Sequence, residues 1–278
     1  GTPGRLLDHL RRGSIDGSAL GAVVLDEADR LLDMGFREDL EAILSHAPEG
    51  HRTHLVSATF AKEVRALADR VQSAPVHVEG TRLGAANADI EHIIHLVEGR
   101  QRIDALVNLL LADPDAQTLV FARTRADVAG ITQDLEAAGF AARSLSGDME
   151  QKTRNRALEA FKRGELHVLV ATDVAARGID VQDIRRVIHV EPPTDADTYT
   201  HRSGRTGRAG RKGESGLLVP PPALARAQRL LREAGVRFRF APVPSAETIR
   251  AEAAERLFGD LTADDPEGFA GFDGTTWA

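Results

Sequence analysis

Ala22-Val23-Val24-Leu25-Asp26-Glu27-Ala28-Asp29 is the stretch whose reading decides the fold. A short apolar run reads as a buried strand, and here it closes on two adjacent carboxylates before a polar, helix-like segment opens. A strand ending this way sets both acids at the carboxyl edge of a sheet, where open α/β folds bind their ligands. One carboxylate there suits a hydrated Mg²⁺, which prefers oxygen ligands and keeps its waters. Its neighbour suits an attacking water, and together they are what phosphoryl transfer needs on its metal side. The same acids also suit a plain helix N-terminus, where the dipole favours negative charge.

A second stretch, Tyr199-Thr200-His201-Arg202-Ser203-Gly204-Arg205-Thr206-Gly207-Arg208-Ala209-Gly210-Arg211-Lys212-Gly213, carries five cations and no acid in a chain of net charge -7. Glycines among arginines let the backbone come close to a ligand. Forked guanidinium groups match phosphate oxygens. A solvated basic loop has the same composition. With the acidic strand end far upstream, the pair suggests a nucleotide held by metal-side carboxylates and arginine fingers.

Composition narrows the classes. The 278 residues are 42% hydrophobic, enough for real cores, and their length suits about two domains. Aromatics make up 4%, so stacking on aromatic platforms does not dominate any nucleic-acid binding. There is no cysteine, which excludes disulfides and cysteine zinc sites and fits a reducing cytoplasm. No apolar run reaches membrane-spanning length. From Val243 onward there are eight acids and two bases, so the rest is near neutral and any binding of polyanions rests on local basic grooves.

Strand patterns at Ala22–Leu25, His54–Ser57, Val76–Val78, Ile93–Leu96, Thr118–Phe121, Ala142–Leu145, Val168–Ala171, Arg186–His189 and Ser215–Leu218 alternate with helical ones. The helical patterns include Lys62–Val71, Gln101–Leu111, Ala126–Ala138, Gln151–Lys162 and Leu224–Glu233. That rhythm predicts parallel sheets covered by helices. The small, polar stretch 80–88 reads as a linker. Residues 1–79 and 89–236 become two domains, and 237–278 an extension with one helix, Ala246–Phe258, capped by Ser245. Gly259–Ala278 is acidic, Gly-rich and without periodicity, as in a disordered tail.

The motifs, in order, resemble those of the DEAD-box RNA helicases over nearly the whole chain. Thr2-Pro3-Gly4-Arg5 resembles the first-domain RNA-backbone motif, and Val24 to Arg30, continuing through Leu32-Asp33-Met34-Gly35-Phe36, the name-giving one. Ser57-Ala58-Thr59 is similar to the coupling motif. Val120-Phe121-Ala122-Arg123-Thr124, then Gly147 with Gln151 and Arg154, then Ala171 to Asp180 and His201 to Arg208 complete the series. Position 146 is Ser where relatives often carry His, and no Gly-Lys-Ser or Gly-Lys-Thr occurs. The resemblance places that phosphate-binding loop upstream. The chain is therefore expected to be an N-terminally truncated form: α/β, with two RecA-like parallel-sheet domains, the first incomplete, and inactive alone.

The resemblance implies roles for named residues. Asp26 holds Mg²⁺ through water, Glu27 positions the hydrolytic water, and Arg205 and Arg208 act as arginine fingers on ATP when the domains close. Gly178 and Asp180 lie beside the ribose and phosphates. Asp29, Ser57, Thr59, His201 and Arg202 couple the domains, although Asp29 equally suits a helix dipole and the two hydroxyls a helix cap. RNA falls to Thr2, Arg5, Arg123, Thr124, Gly147, Arg154, Thr172 and Asp173, each with an alternative as a turn or cap residue. Asp173 is expected to act through its amide or by orienting a neighbour, since an acid does not attract phosphate. Backbone contacts imply little sequence preference. The implied activity is RNA-stimulated ATP hydrolysis coupled to duplex unwinding. The alternatives are a non-enzymatic RNA-binding module or a related nucleic-acid-dependent ATPase.

Overall fold

The computed structural model describes residues 2–57, 60, 62–78, 89–147, 149–176, 184–207 and 210–264, without the side chains of Val174 and 259–264. The chain divides into two compact units, Gly1–Leu83 and Gly84–Ala278. The expected linker, 80–88, and residues 265–278 of the expected tail lie outside the described residues.

Unit 1 runs α1 (Pro3–Arg11), β1 (Ala22–Leu25), α2 (Ala28–Asp33), α3 (Arg37–Leu44), β2 (Arg52–Leu55) and α4 (Lys62–Val71). Pro3 opens α1 at a position where a missing N–H costs nothing. The strands β1 and β2 pair in parallel with Leu25 opposite Leu55. Leu25, Leu40, Leu44 and Leu67 make one small core; Leu7, Leu10 and Ile43 hold α1 against α3. The expected strand Val76–Val78 does not form: both valines are more than four-fifths exposed, and among the described residues no strand pairs with them. Strand β2 also lies two residues earlier than expected, so Ser57 sits in the loop beyond it.

Unit 2 runs β3 (Ile90–Leu96), α5 (Arg102–Ala112), β4 (Thr118–Phe121), α6 (Arg125–Ala137), β5 (Ala142–Leu145), α7 (Gln151–Lys162), β6 (Val168–Ala171), α8 (Asp173–Ala176), β7 (Arg186–His189), α9 (Ala196–Ser203), β8 (Gly213–Val219), α10 (Leu224–Glu233), β9 (Phe238–Phe240) and α11 (Ala246–Asp264). Its seven strands form one parallel sheet in the order β5-β6-β4-β7-β8-β3-β9. Both faces are covered, as parallel strands require. Val120, Val168, Val170, Ile188 and Leu218 face α5 and α6, whose Leu106, Leu109, Val128, Ile131 and Leu135 complete that core. Leu119, Phe121, Leu169, Ala171 and Val187 face the other way onto Ala157 and Phe161 of α7. Farther along that side, Tyr199, Ala227, Leu230 and Leu231 close over Ile94, Leu217 and Val219.

The second sheet continues past Val236, the end expected for the second domain. Phe238–Phe240 pairs with β3 as an edge strand, and the His95 ring meets the Ala241 carbonyl at 3.0 Å. Ser245 caps α11 by accepting the Thr248 N–H at 3.1 Å, as its position suggested. The helix continues beyond Phe258 to Asp264, and it is anchored where Arg256 donates to the Ala112 carbonyl of α5. The first part of the expected extension is therefore built into unit 2. Among the described residues no helix is long and apolar enough to cross a membrane.

Candidate functional site

In unit 1 the carboxyl ends of β1 and β2 are tied together by short-range backbone bonds. Val56 N–H donates to Leu25 O at 2.8 Å and Ala28 N–H to Val56 O at 3.1 Å. Ser57 Oγ accepts the Asp29 N–H at 3.2 Å. Asp29 is the second residue of α2, so Ser57 satisfies an orphan helix N–H from the loop beyond β2. The hydroxyl therefore caps α2. Asp29 is buried, and its own Oδ1 accepts the Arg30 N–H at 3.0 Å.

Glu27 takes φ 50 and ψ 46, the left-handed region that a non-glycine residue rarely occupies. Residues held there cost about 1–3 kcal/mol and cluster at functional sites. The twist turns the chain sharply from strand to helix, leaving Glu27 half-buried and Asp26 exposed. Arg30 Nη1 lies 3.8 Å from Glu27 Oε2, while Asp26 Oδ1 accepts the Glu27 N–H at 2.9 Å. An exposed carboxylate with one oxygen so engaged fits a cation reached through water. Among the described residues no three His, Cys, Asp or Glu side chains form a metal cage. Thr2 and Arg5 are both exposed at the start of α1; the Thr2 hydroxyl does not cap the helix.

In unit 2 the strand order brings the sequence-predicted RNA residues to one edge. Gly147 follows β5, Thr172 and Asp173 follow β6, Arg123 and Thr124 follow β4, and these three strands are neighbours. Thr124 caps α6 in a complete capping box: its Oγ1 accepts the Asp127 N–H at 3.1 Å while Asp127 Oδ2 accepts the Thr124 N–H. Arg154 donates to the Ala175 carbonyl of α8, tying α7 to the strand end. Thr172 is buried. Arg123 is exposed and pairs with Glu191 at 2.9 Å.

Asp173 orients a neighbour. Its Oδ1 and Oδ2 accept Arg202 Nε and Nη2 at 2.6 and 2.8 Å, a two-pronged pair that uses up the carboxylate. Arg202 is expected at the interdomain surface; its side chain is instead buried inside unit 2, with the guanidinium 5.1 Å from the Phe121 ring centroid. Next to Phe121 stacks His189, then Tyr199 at 4.9 Å. The Tyr199 hydroxyl meets His92 Nδ1 at 2.7 Å and Ser215 Oγ at 3.2 Å. Burial lowers His92 to about 4 and raises Tyr199 to about 12. It also pushes His189 well down, helped by the nearby charge of Arg202. A neutral, ordered aromatic column therefore runs behind the arginine-rich segment.

His201, in the last turn of α9, and Arg205, just past it, are half-buried, and Thr206 is buried. The Thr206 hydroxyl donates to the carbonyls of Ile184 and Arg185. Gly213 covers it so closely that a Cβ there would sit 2.1 Å from Thr206 Oγ1, so no larger residue fits. Thr59, Gly178, Asp180 and Arg208 lie outside the described residues. Sequence reading gave no role to Glu191, Phe121, His189 or Tyr199, although Phe121 stands inside a quoted motif and Tyr199 is the single tyrosine of the chain, in an otherwise polar helix.

The DEAD/DEAH box helicase family model matches residues 1–67, and that of the helicase conserved C-terminal domain matches residues 101–210. The chain belongs to the DEAD-box helicase family. It is 42% identical over 252 residues to the ATP-dependent RNA helicase DeaD of Klebsiella pneumoniae, covering 91% of this chain and 38% of that protein. The protein of the same name from Escherichia coli K12 is also 42% identical, with 39% of its length covered. This DEAD-box chain thus spans about two fifths of the curated relatives it matches. Among solved structures, S. cerevisiae Dbp5 bound to RNA and ADP BeF3 aligns with a TM-score of 0.79 at 27% identity, over 94% of this chain and 68% of that one. A DEAD box protein from the hyperthermophile Methanococcus jannaschii aligns at 0.53 with 34% identity, over 87% and 65%. The fold of this DEAD-box chain is α/β with RecA-like parallel sheets.

Proposed function

We propose that this chain contributes the metal-side carboxylates, the arginine fingers and part of the RNA track of a cytoplasmic ATP-dependent RNA helicase. The observation that carries the reading is Glu27, held in a left-handed turn at the carboxyl end of β1 with Asp26 exposed beside it. Glu27 takes the proton of a water as its oxygen bonds to the γ-phosphorus and the bond to the bridging oxygen breaks. Asp26 would hold Mg²⁺ through water, which would supply positive charge against the phosphates. Arg205 and Arg208 stabilise the negative charge that develops on the transferred group, with Gly178 and Asp180 beside the ribose and phosphates. Asp29, Ser57, Thr59 and His201 couple nucleotide state to RNA grip, and Arg202 supports that coupling from inside unit 2. Thr2, Arg5, Arg123, Thr124, Gly147, Arg154 and Thr172 follow the RNA backbone, with Asp173 acting through Arg202. The relatives named DeaD and the RNA and ADP BeF3 bound to Dbp5 support these assignments, and the absence of cysteine suits a reducing compartment.

The test is Glu27→Gln in the natural protein. RNA-stimulated phosphate release should fall at least about 100-fold, the scale of a lost general base, with RNA affinity retained. Near-normal turnover would remove Glu27 from the chemistry. Equal stimulation by DNA would point to a general nucleic-acid-dependent ATPase instead.

A further inference from the structure

The carboxyl edge of the second sheet does not stop at the strands that carry the expected RNA residues. Beyond β4 come β7, β8 and β3, and their ends enclose a cleft of about 250 Å³. Arg102, Arg123 and Arg226 stand around it with Glu191 as the single carboxylate. Glu191 Oε2 lies 2.9 Å from Arg123 and 3.9 Å from Arg102, which orients both guanidinium groups without neutralising both. Arg226, also lining the cleft, reaches the Thr194 carbonyl at 3.5 Å and is otherwise exposed. Between them the wall is Val97, Pro192, Leu218, Pro220 and Ala223.

This combination selects an anion that carries an apolar flat part. The cleft falls just below the roughly 300–1,000 Å³ of pockets that enclose a whole small ligand, so it suits one unit of a longer one. Unpaired bases stack on guanidinium planes as well as on aromatic rings, and guanidinium forks match phosphate oxygens. Arg123 belongs both to this cleft and to the row at the ends of β5, β6 and β4. The geometry points to a further RNA subsite: the cleft takes one nucleotide of a single strand, its base on the proline and aliphatic wall and its phosphate on Arg226 and Arg102. It extends the track past Arg123 and rests on the RNA-binding reading above.

The experiment measures binding of residues 1–278 to a fluorescent oligouridylate across a salt series. Arg226→Glu should weaken binding at least about tenfold at low salt and flatten the slope of log K against log salt by about 0.7 for each phosphate left without its cation. Arg229→Glu, on the same helix but outside the cleft, controls for bulk charge; at about 0.15 M salt, where the screening length is roughly 8 Å, it should cost no more than about twofold. Ala223→Leu fills the cleft without altering charge; it should weaken binding with the salt slope unchanged. Equal losses in the two arginine variants, or full affinity in Ala223→Leu, would overturn the subsite while leaving RNA binding intact. Displacement of the oligonucleotide by UMP at equal nucleotide concentration would also overturn it, because the cleft would then be a site for free nucleotide. No binding by the unaltered chain would sink the RNA reading itself along with the subsite.

Discussion

Strands β1 and β4 make the same promise in sequence and keep it differently in structure. Each has four residues, pairs in parallel and ends on side chains assigned to function. All four residues of β4 are essentially inaccessible, with neighbours on both edges and helices on both faces. In β1 only Leu25 is buried, Val24 is 62% exposed, and among the described residues the strand pairs with β2 alone. The carboxyl edge of unit 2 is thus held by a core, whereas that of unit 1 is held by a few local bonds around Asp29 and Ser57. A short apolar run announces a strand; it does not say how many of its faces are covered.

Acid should open the widest gap between the units. The buried histidines His92, His95 and His189 all lie in unit 2. Burial lowers His92 from an ordinary value near 6.5 to about 4. The unfolded chain takes up a proton below pH 6.5 while folded His92 stays neutral, so its contribution is complete above that pH. The contribution is lost as pH falls toward 4 and is flat below. The full span corresponds to about 3 kcal/mol, and His189 acts in the same direction. Hydrogen exchange in β4 should therefore accelerate between pH 6.5 and 5 beyond its intrinsic pH dependence. His92→Phe, which leaves Tyr199 its bond to Ser215, should reduce that dependence. An unchanged dependence in the variant would show that the buried imidazole is not its source.

A paired substitution tests the contrast at single positions. Val24 and Val120 are each the third residue of their strand. Val120→Thr puts a hydroxyl into a sealed core and should cost about 1–3 kcal/mol. Val24→Thr meets water and should stay within about 0.5 kcal/mol. Peptide-resolved hydrogen exchange reads the two units separately, and similar costs would mean that β1 is covered in solution.

How much was legible follows from the same physics. Thr118–Phe121, Ala142–Leu145, Val168–Ala171 and Arg186–His189 agree with expectation residue for residue, since strands between amphipathic helices leave little freedom of register. Val76-His77-Val78 alternates like a strand but lacks a partner, and pairing is not written into three residues. Phe238-Arg239-Phe240 escapes a sequence reading for the converse reason: its strand state depends on β3, far away in sequence. Asp26, Glu27 and Arg123 fall just past the ends of β1 and β4, as the apolar runs before them imply, because a strand closing on charged residues is a local pattern. It could not disclose that Asp173 grips Arg202 or that Glu191 grips Arg123. The first pair joins the end of β6 to α9 and the second joins the ends of β4 and β7, and each meets only when the sheet forms.

The smallest effect tests the weaker edge most directly. In Ser57→Ala the Asp29 N–H loses its acceptor in a partly buried place, at a cost of about 0.5–1.5 kcal/mol. That is too little to unfold unit 1, whose leucine core is untouched. The Ala28 N–H still bonds to Val56 O, so β2 remains joined to the start of α2. What loosens is the second bond that fixes α2 against the strand end and thereby the turn at Glu27. Exchange at the Asp29 amide should rise by about tenfold, the equivalent of roughly 1.4 kcal/mol, while amides in β1 hold their protection. Turnover should fall with the KM for ATP little changed, because in the proposed mechanism Glu27 positions water rather than nucleotide. Ser57→Thr restores the hydroxyl and should recover both readouts. Recovery of exchange protection without recovery of turnover would make the Ser57 bond purely structural. The control of Glu27 would then have to come from Arg30, whose guanidinium lies 3.8 Å from the carboxylate.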